Sequence, residues 1–214
     1  SAPNALAGVL LATAIVLTAW RFTGVGDSPA VPDHVLHWAE AARRGELDVG
    51  DLAPDFQLVT SDGERQIRLS NLRGTKPVVL VFGSHTCPYF RAHIRAINNL
   101  YTRHKDEAHF LFVYIREAHP VEDGSIPENA HLPPIHAAKC LEERQQTAVA
   151  CTAAMQIQMP TLVDRLDDRV ATVYRAWPER LFIIDKRRRI SYKRSPPGTI
   201  DCRAIEEFLA SFLR

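Results

Sequence analysis

Cysteine is scarce in this sequence, and no two cysteines stand close together. The 214 residues hold four, Cys87, Cys140, Cys151 and Cys202. That is too few and too scattered for a disulfide framework, and no pair has the C-x2-C spacing of a dithiol redox motif or a structural zinc site. The nine histidines are dispersed as well, with no H-E-x-x-H motif, so no resident metal is expected, although His85, Cys87 and His119 remain a trio that folding can bring together. Charge of one sign is also missing: the formal net charge is +1, which removes the electrostatic case for a nucleic-acid partner. No internal repeat is visible.

What is present divides into three segments. From Ala5 to Trp20, "ALAGVLLATAIVLTAW" carries no charge and is closed by Arg21 and Phe22. As a helix this run is about 24 Å long, short of the ~30 Å hydrocarbon core, but flanking residues and the Trp20–Arg21–Phe22 interfacial belt extend it enough to span a thinned bilayer. A single-pass anchor over residues 1–22 is the expectation, preferred to a signal peptide because no A-x-A cleavage pattern follows, and to a buried core helix. "TGVGDSPAVPD" (residues 23–33) then reads as a linker leading to a short surface helix that ends at Gly45, so that residues 23–47 join the anchor to a domain at 48–214.

That domain opens with a β-hairpin, Phe56 and Leu58 on one arm, Ile67 and Leu69 on the other, around a Ser-Asp-Gly turn. Strand–helix alternation follows. "PVVLVF" (77–82) and "AHFLFVYI" (108–115) are continuous apolar runs, as strands covered on both faces should be. Between them Phe90, Ile94, Ile97 and Tyr101 recur at helical spacing. A polar, proline-bearing stretch over 116–136 is too long for an ordinary loop. Then come a helix over "AKCLEERQQTAVACTAAM", a short strand "MPTLVD", a short helix "DDRVATVYRAW", a strand pair "RLFIID" and "RISYK", and a terminal helix with Ile205, Phe208, Leu209 and Phe212 in one stripe. A leading hairpin, β-α-β, helix, then β-α-β-β-α is the order of an α/β, thioredoxin-like fold with helices on both faces of a mixed sheet.

The chemistry concentrates in "FGSHTCPYF" (82–90), where Cys87 falls between the end of a core strand and the start of a helix. Unpaired N–H groups and the helix dipole there favour a thiolate. Pro88 suits the first turn; Ser84 and Thr86 bring hydroxyls, and Arg91 stands four residues on. With Phe90 where a resolving cysteine is usual, regeneration needs either a distant thiol or an external one. Cys140 and Cys151 are the candidate resolving thiols. They lie on one helix, about 16 Å apart, so they cannot bond each other on an intact helix. Cys202 reads as structural.

These residues carry a resemblance. "FGSHTCPYF" resembles the iodothyronine deiodinase signature F-G-S-x-T-U-P-P-F with cysteine in place of selenocysteine, and "FLFVYIREAHPVEDG" resembles the same family's F-L-x-V-Y-I-x-E-A-H-P-x-D-G. "LEERQQTAVA", "TLVDRLDDRVATVYRAWPERLFIID" and "ISYK" follow in the family's order, so the similarity runs from about Gly50 to Arg214. It implies reductive removal of halogen, iodine above all, from a halogenated phenol, with no bound cofactor and with a thiol or thioredoxin-type electron donor. Carried over position by position, Cys87 is the nucleophile, with Ser84 and Thr86 beside it; Glu117 and His119 handle protons; Tyr114, His136, Glu179 and Arg180 contact substrate. The anchor and linker also match the family's architecture, which implies membrane attachment, in a bacterium to the inner membrane, and leaves a homodimer open. Tyr89 replaces the family's second proline, and "KRSPPG" replaces its glycine-rich stretch. Pro178 before "ERLFIID" is similar to the cis proline that faces the reactive cysteine in membrane-anchored thioredoxin-like reductases. Two other classes stay open: a redoxin that reduces peroxides or disulfides, and a binding module in which Cys87 is incidental and buried.

Overall fold

The computed structural model describes residues 47–72, 74, 76–124, 126–194 and 201–212. The expected anchor, linker and first surface helix lie outside the described residues. Among the described residues no helix is long and apolar enough to cross a membrane.

Seven strands form one sheet in the order β2-β1-β5-β4-β3-β6-β7. The hairpin β1 (Gln57–Thr60) and β2 (Gln66–Arg68) opens it, with Leu58 opposite Ile67. Phe56 and Leu69 meet just beyond, where the Leu69 N–H donates to the Phe56 carbonyl at 3.0 Å. The central strands are β3 (Val78–Gly83) and β4 (His109–Tyr114), paired in parallel from Val78↔His109 to Gly83↔Tyr114. Strand β5 (Thr161–Val163) extends this parallel set beside β4, while β6 (Arg180–Ile184) runs antiparallel to β3 and β7 (Ile190–Arg194) completes the edge.

Both faces of the centre are covered, and the period-two geometry of strands sorts the apolar runs between them. Val79, Val81, Phe110, Phe112, Tyr114, Leu181 and Ile183 point to one core. There they meet helix α1 (Pro88–His104) through Phe90, Ile94, Ile97 and Leu100, helix α2 (Leu141–Ala154) through Ala148 and Cys151, and helix α4 (Cys202–Ser211) through Ile205 and Leu209. Val78, Leu80, Phe82, Leu111, Val113, Phe182 and Ile184 point to the other core, closed by Leu47, Phe56 and the short helix α3 (Arg169–Val173). Tyr174 packs 5.2 Å from Phe82 and 5.4 Å from Phe182, and its hydroxyl donates to the Pro54 carbonyl at 2.6 Å.

The expected elements are observed, several with shorter limits, while β3 and β7 keep their expected lengths shifted by one residue. The α1 stripe shifts by one residue at its end: Leu100 is buried, and Tyr101 instead stands edge-on to Phe110 at 5.6 Å. The stretch 116–136 contains two single 3-10 turns, Val121–Asp123 and Pro127–Asn129.

The exit from β3 depends on a small residue. Phe90 stacks on Phe112 with centroids 4.7 Å apart and planes at 13°, and a Cβ on Gly83 would overlap the Phe90 ring atoms. Because that ring is fully buried, it has nowhere to move. Gly83→Ala is therefore expected to destabilise the domain by about 1–3 kcal/mol, with part of the loss recovered by adding Phe90→Leu. Urea midpoints of the single and double variants check this; purely additive effects would mean that the two side chains do not compete for one space.

Candidate active site around Cys87

Residue 87 is the N-cap of α1, in extended conformation, with Pro88 in the first turn. Its N–H donates to the Ser84 carbonyl at 3.3 Å, and its own carbonyl accepts the Arg91 N–H at 3.1 Å, which starts the helix. The loop 84–87 is held by the segment that leaves β4. Glu117 Oε2 accepts the Thr86 N–H at 2.7 Å and the Thr86 hydroxyl at 2.5 Å. Glu117 Oε1 accepts the Tyr114 hydroxyl, whose oxygen in turn lies 3.4 Å from the His85 N–H. The Ala118 N–H donates to Ser84 Oγ at 3.2 Å and the His119 N–H to Thr86 Oγ1 at 3.0 Å. Thr86, Tyr114 and Glu117 are thus joined through their side chains into one network beside Cys87; His119 joins them only through its backbone N–H, and Ser84 is bonded to Ala118.

Two residues outside the expected set join it. Arg91 donates to the His85 carbonyl at 3.2 Å, to Asn129 Oδ1 at 2.5 Å and to the Glu128 carbonyl at 2.6 Å. Asn129, itself buried, donates to the Thr86 carbonyl at 3.0 Å. The Arg91 donors are spent on the polar stretch, stitching it to the cysteine loop. No spacing rule could have signalled a contact across 38 positions of chain.

The expectation of a thiolate is overturned. Cys87 is fully buried, and burial pushes its thiol up to about 11, with the Glu179 carboxylate adding to the effect. The N–H groups of Phe90 and Tyr89 and the charge of Arg91 work the other way, as the helix terminus predicts, and they lose. Desolvation wins because the sulfur sits in the apolar cluster with Phe90, Phe112 and Cys151.

The remaining candidates divide. Glu179, expected at the substrate, is internal: it is 2% exposed and takes a hydrogen bond from Arg194, also buried, with His93 Nδ1 at 3.5 Å on its other oxygen. At that exposure the carboxylate presents almost no surface to a ligand. Arg180, half-buried at the start of β6, donates through Nε to the Arg175 carbonyl at 2.9 Å. The Trp177–Pro178 peptide is cis. Of the candidate resolving thiols, Cys151 is buried in the same core cluster as Cys87, with its sulfur 3.8 Å from that of Met155 and its thiol pushed far up by burial. Cys140 is the half-buried N-cap of α2. All four cysteines are free. Among the described residues, no three His, Cys, Asp or Glu side chains are grouped to hold a metal ion.

Two clefts adjoin the network. One, of about 530 Å³, is lined by Tyr114, Glu117, Arg116, His136, Arg144 and Trp177, with the Arg116 guanidinium 5.2 Å from the centre of the Trp177 ring. The other, of about 660 Å³, has His85, Glu122, Ile135 and His136 in its wall. His136 lines both; its Nδ1 is 2.9 Å from Glu122 Oε1. The Ala137 N–H, aided by that imidazole, holds the Glu122 carboxyl down at about 2. A third cleft of about 400 Å³, around Arg68, Arg169 and Tyr174, includes none of these residues.

The family model described as iodothyronine deiodinase matches residues 33–209. The chain belongs to the iodothyronine deiodinase family. It is 34% identical over 153 residues to a thyroxine 5-deiodinase of Gallus gallus, covering 70% of this chain and 58% of that protein. It is 32% identical over 141 residues to a type I iodothyronine deiodinase of Xenopus laevis, covering 66% and 54%. This family member thus spans just over half the length of those relatives. Its fold is thioredoxin-like. A thiol:disulfide interchange protein from Bacteroides sp. superposes with a TM-score of 0.57 at 16% identity, over 77% of this chain and 91% of that one. The thioredoxin domain of a thiol-disulfide oxidoreductase of Bacteroides vulgatus does so at 0.55 and 16%, over 77% and 99%.

Two outcomes are expected. Alkylation of Cys87 by iodoacetamide should accelerate about tenfold per pH unit from pH 7 to 10, because the thiolate fraction rises that way below a raised pKa; mass spectrometry reads the rate, and a plateau by pH 8 would contradict a neutral resting thiol. Glu117→Ala should cost about 1–3 kcal/mol in urea unfolding, since it strands the Thr86 N–H and the Tyr114 hydroxyl.

Proposed function

We propose that this deiodinase-family domain is a thiol-dependent oxidoreductase that removes iodine from iodothyronine-like halogenated phenols through Cys87. The observation that carries the reading is the Tyr114–Glu117–Thr86 network bound to the cysteine loop, in a chain matching the deiodinase family over residues 33–209.

A neutral thiol suits this chemistry once the substrate is seated. The sulfur bonds to iodine as the carbon–iodine bond breaks, and the electron pair of that bond stays on the ring carbon. The proton released by the thiol is the one the ring carbon takes up, so the products are the deiodinated ring and a sulfenyl iodide. One external thiol displaces iodide to give a mixed disulfide and hydrogen iodide; a second restores the Cys87 thiol and leaves as the oxidised disulfide. Thr86, Glu117 and His119 convey the proton, His119 as the terminal acid because an imidazole works near neutrality. The cleft beside Tyr114, Glu117, His136 and Trp177 offers a flat aromatic ring both an apolar wall and polar anchors. Cysteine in place of selenocysteine is a poorer nucleophile, so turnover is slow. The charge-free run Ala5–Trp20 holds the domain at a membrane.

A second reading has an observation of its own. The burial of Cys87 is also what a binding module with an incidental cysteine would show. Iodide release from iodothyronines with dithiothreitol, measured beside peroxide consumption, separates the readings. The wild type is expected to release iodide and Cys87→Ser to release none. His119→Ala should depress deiodination at least tenfold while leaving Cys87 alkylation unchanged. Peroxide turnover without iodide release would identify a redoxin, and activity that survives Cys87→Ser would leave the cysteine without a role.

A further inference from the structure

The 400 Å³ cleft beside Tyr174 takes no part in the chemistry around Cys87. Its residues Phe56, Val170 and Tyr174 belong to the core on one face of the sheet, and Cys87 belongs to the core on the other. Phe56, Val170 and Val173 give the cleft an apolar wall, and the Tyr174 hydroxyl already donates to the Pro54 carbonyl. The charged residues of the lining are Arg68, Arg165, Arg169 and Asp55. Three guanidiniums against one carboxylate leave the lining with a charge of +2. That carboxylate is already matched, because Arg68 Nε donates to Asp55 Oδ2 at 2.8 Å and the Ser70 N–H to Oδ1 at 2.9 Å. The remaining polar side chain, Gln57, is bonded to Gln66.

The arginines come from two separate elements held by the fold. Arg68 stands opposite Gln57 in the hairpin register. Arg165 lies on the turn after β5, and Arg169 is the first residue of α3. Asp164, fully buried, fixes that turn by accepting the Arg165 and Ala171 N–H groups, both at 2.8 Å, while Arg144 donates to the Arg165 carbonyl at 2.6 Å. Backbone donors of the turn are thus spent on Asp164, and recognition falls to the side chains. Ordering such side chains around a ligand costs less than ordering a loose loop as well. Arg165 pairs with Asp167 at 3.1 Å, both side chains more than half exposed, and a surface pair of this kind gives way readily to an incoming anion. Arg68 uses on Asp55 only one of the five donors a guanidinium carries. The guanidinium fork matches the oxygens of a phosphate with paired bonds.

We propose that this cleft binds a small phosphate monoester, its apolar body on Phe56, Val170 and Val173 and its phosphate between Arg68, Arg165 and Arg169. Such a group is close to a dianion at neutral pH, which matches the charge of the lining. The volume suits a single ring with its head group. This site goes beyond the reaction proposed at Cys87 and does not depend on it.

Benzyl phosphate, benzyl alcohol and inorganic phosphate separate the two contributions. In calorimetry on the full chain, benzyl phosphate is expected to bind at least about tenfold more tightly than either of the others, the value of one hydrogen bond to a charged group. Phenylacetate, with the ring and a single charge, should fall between benzyl phosphate and benzyl alcohol. Arg165→Gln and Arg169→Gln should each weaken benzyl phosphate by about tenfold. Arg187→Gln, in the exposed turn between β6 and β7, should leave it unchanged. The methyl resonances of Val170 and Val173 should shift when benzyl phosphate binds. An affinity no better than that of inorganic phosphate or benzyl alcohol, unmoved valine methyls, an equal loss in Arg187→Gln, or no binding of benzyl phosphate at all would overturn the site.

Discussion

The geometry around the cysteine depends on one carboxylate receiving three hydrogen bonds. Glu117 takes both donors of Thr86 on one oxygen and the Tyr114 hydroxyl on the other. These bonds carry the β3–β4 pairing past the ends of the strands. Backbone pairing stops at Gly83↔Tyr114, and the Ile115 N–H reaching the Gly83 carbonyl at 3.0 Å is its last backbone bond. From there the register continues through side chains, Ser84 to Ala118 and Thr86 to Glu117 and His119. A loop after a parallel strand would otherwise be free to move. Here the Ser84 and Thr86 hydroxyls and the His85 and Thr86 N–H groups each meet a partner on the other side, so the position of Cys87 follows from the sheet rather than from its own contacts.

The position so fixed is dry, which decides the state of the sulfur. A helix N-terminus stabilises an anion by a modest amount, and that amount falls within a turn. Removing a thiolate from water costs more, and the residues forced inward by Phe90 stacking on Phe112 make the site apolar. Beneath it, Glu179 and Arg194 form a buried pair with His93 at its edge. The Glu179 carboxylate still adds to the upward push on the Cys87 thiol, and removing Arg194 would leave a buried carboxylate uncompensated. The resting state is then a buried, protonated thiol.

Much of this was legible in the sequence for reasons that are local. Runs such as "PVVLVF" and "FLFVYI" have no polar face, so they had to be covered on both sides, and the helical spacing of Phe90, Ile94 and Ile97 named the covering helix. Gly83, Ser84 and Thr86 announced a loop with chemistry. What was not legible is long-range. Glu179 sits next to a proline in a polar stretch, where a carboxylate is normally solvated; only its encounter with Arg194, from the neighbouring strand, makes burial tolerable. Arg144 is charged, yet it is 5% exposed because it donates to the Arg165 carbonyl and to Asp168, pinning the turn after β5. The state of the thiol was misjudged for the same reason: the dipole can be read from position in the chain, whereas desolvation is a property of everything packed around it.

The stretch between β4 and α2 shows where the individuality of the site resides. The sheet is shared with disulfide oxidoreductases at 16% identity, so the fold alone selects no substrate. Both clefts, by contrast, take much of their wall from residues 120–139, including Pro120, Glu122, Ile135 and His136. That stretch has little helix or strand of its own and would have no reason to keep one shape. Arg91 supplies the reason, through bonds to Asn129 and to the Glu128 carbonyl, while Glu122 closes the far end by binding His136 and the Ala137 N–H. The same arginine touches the His85 carbonyl. A ligand that displaced the 120–139 wall would therefore pull directly on the cysteine loop, two residues from the sulfur, and the buried thiol and the two clefts are mechanically one unit.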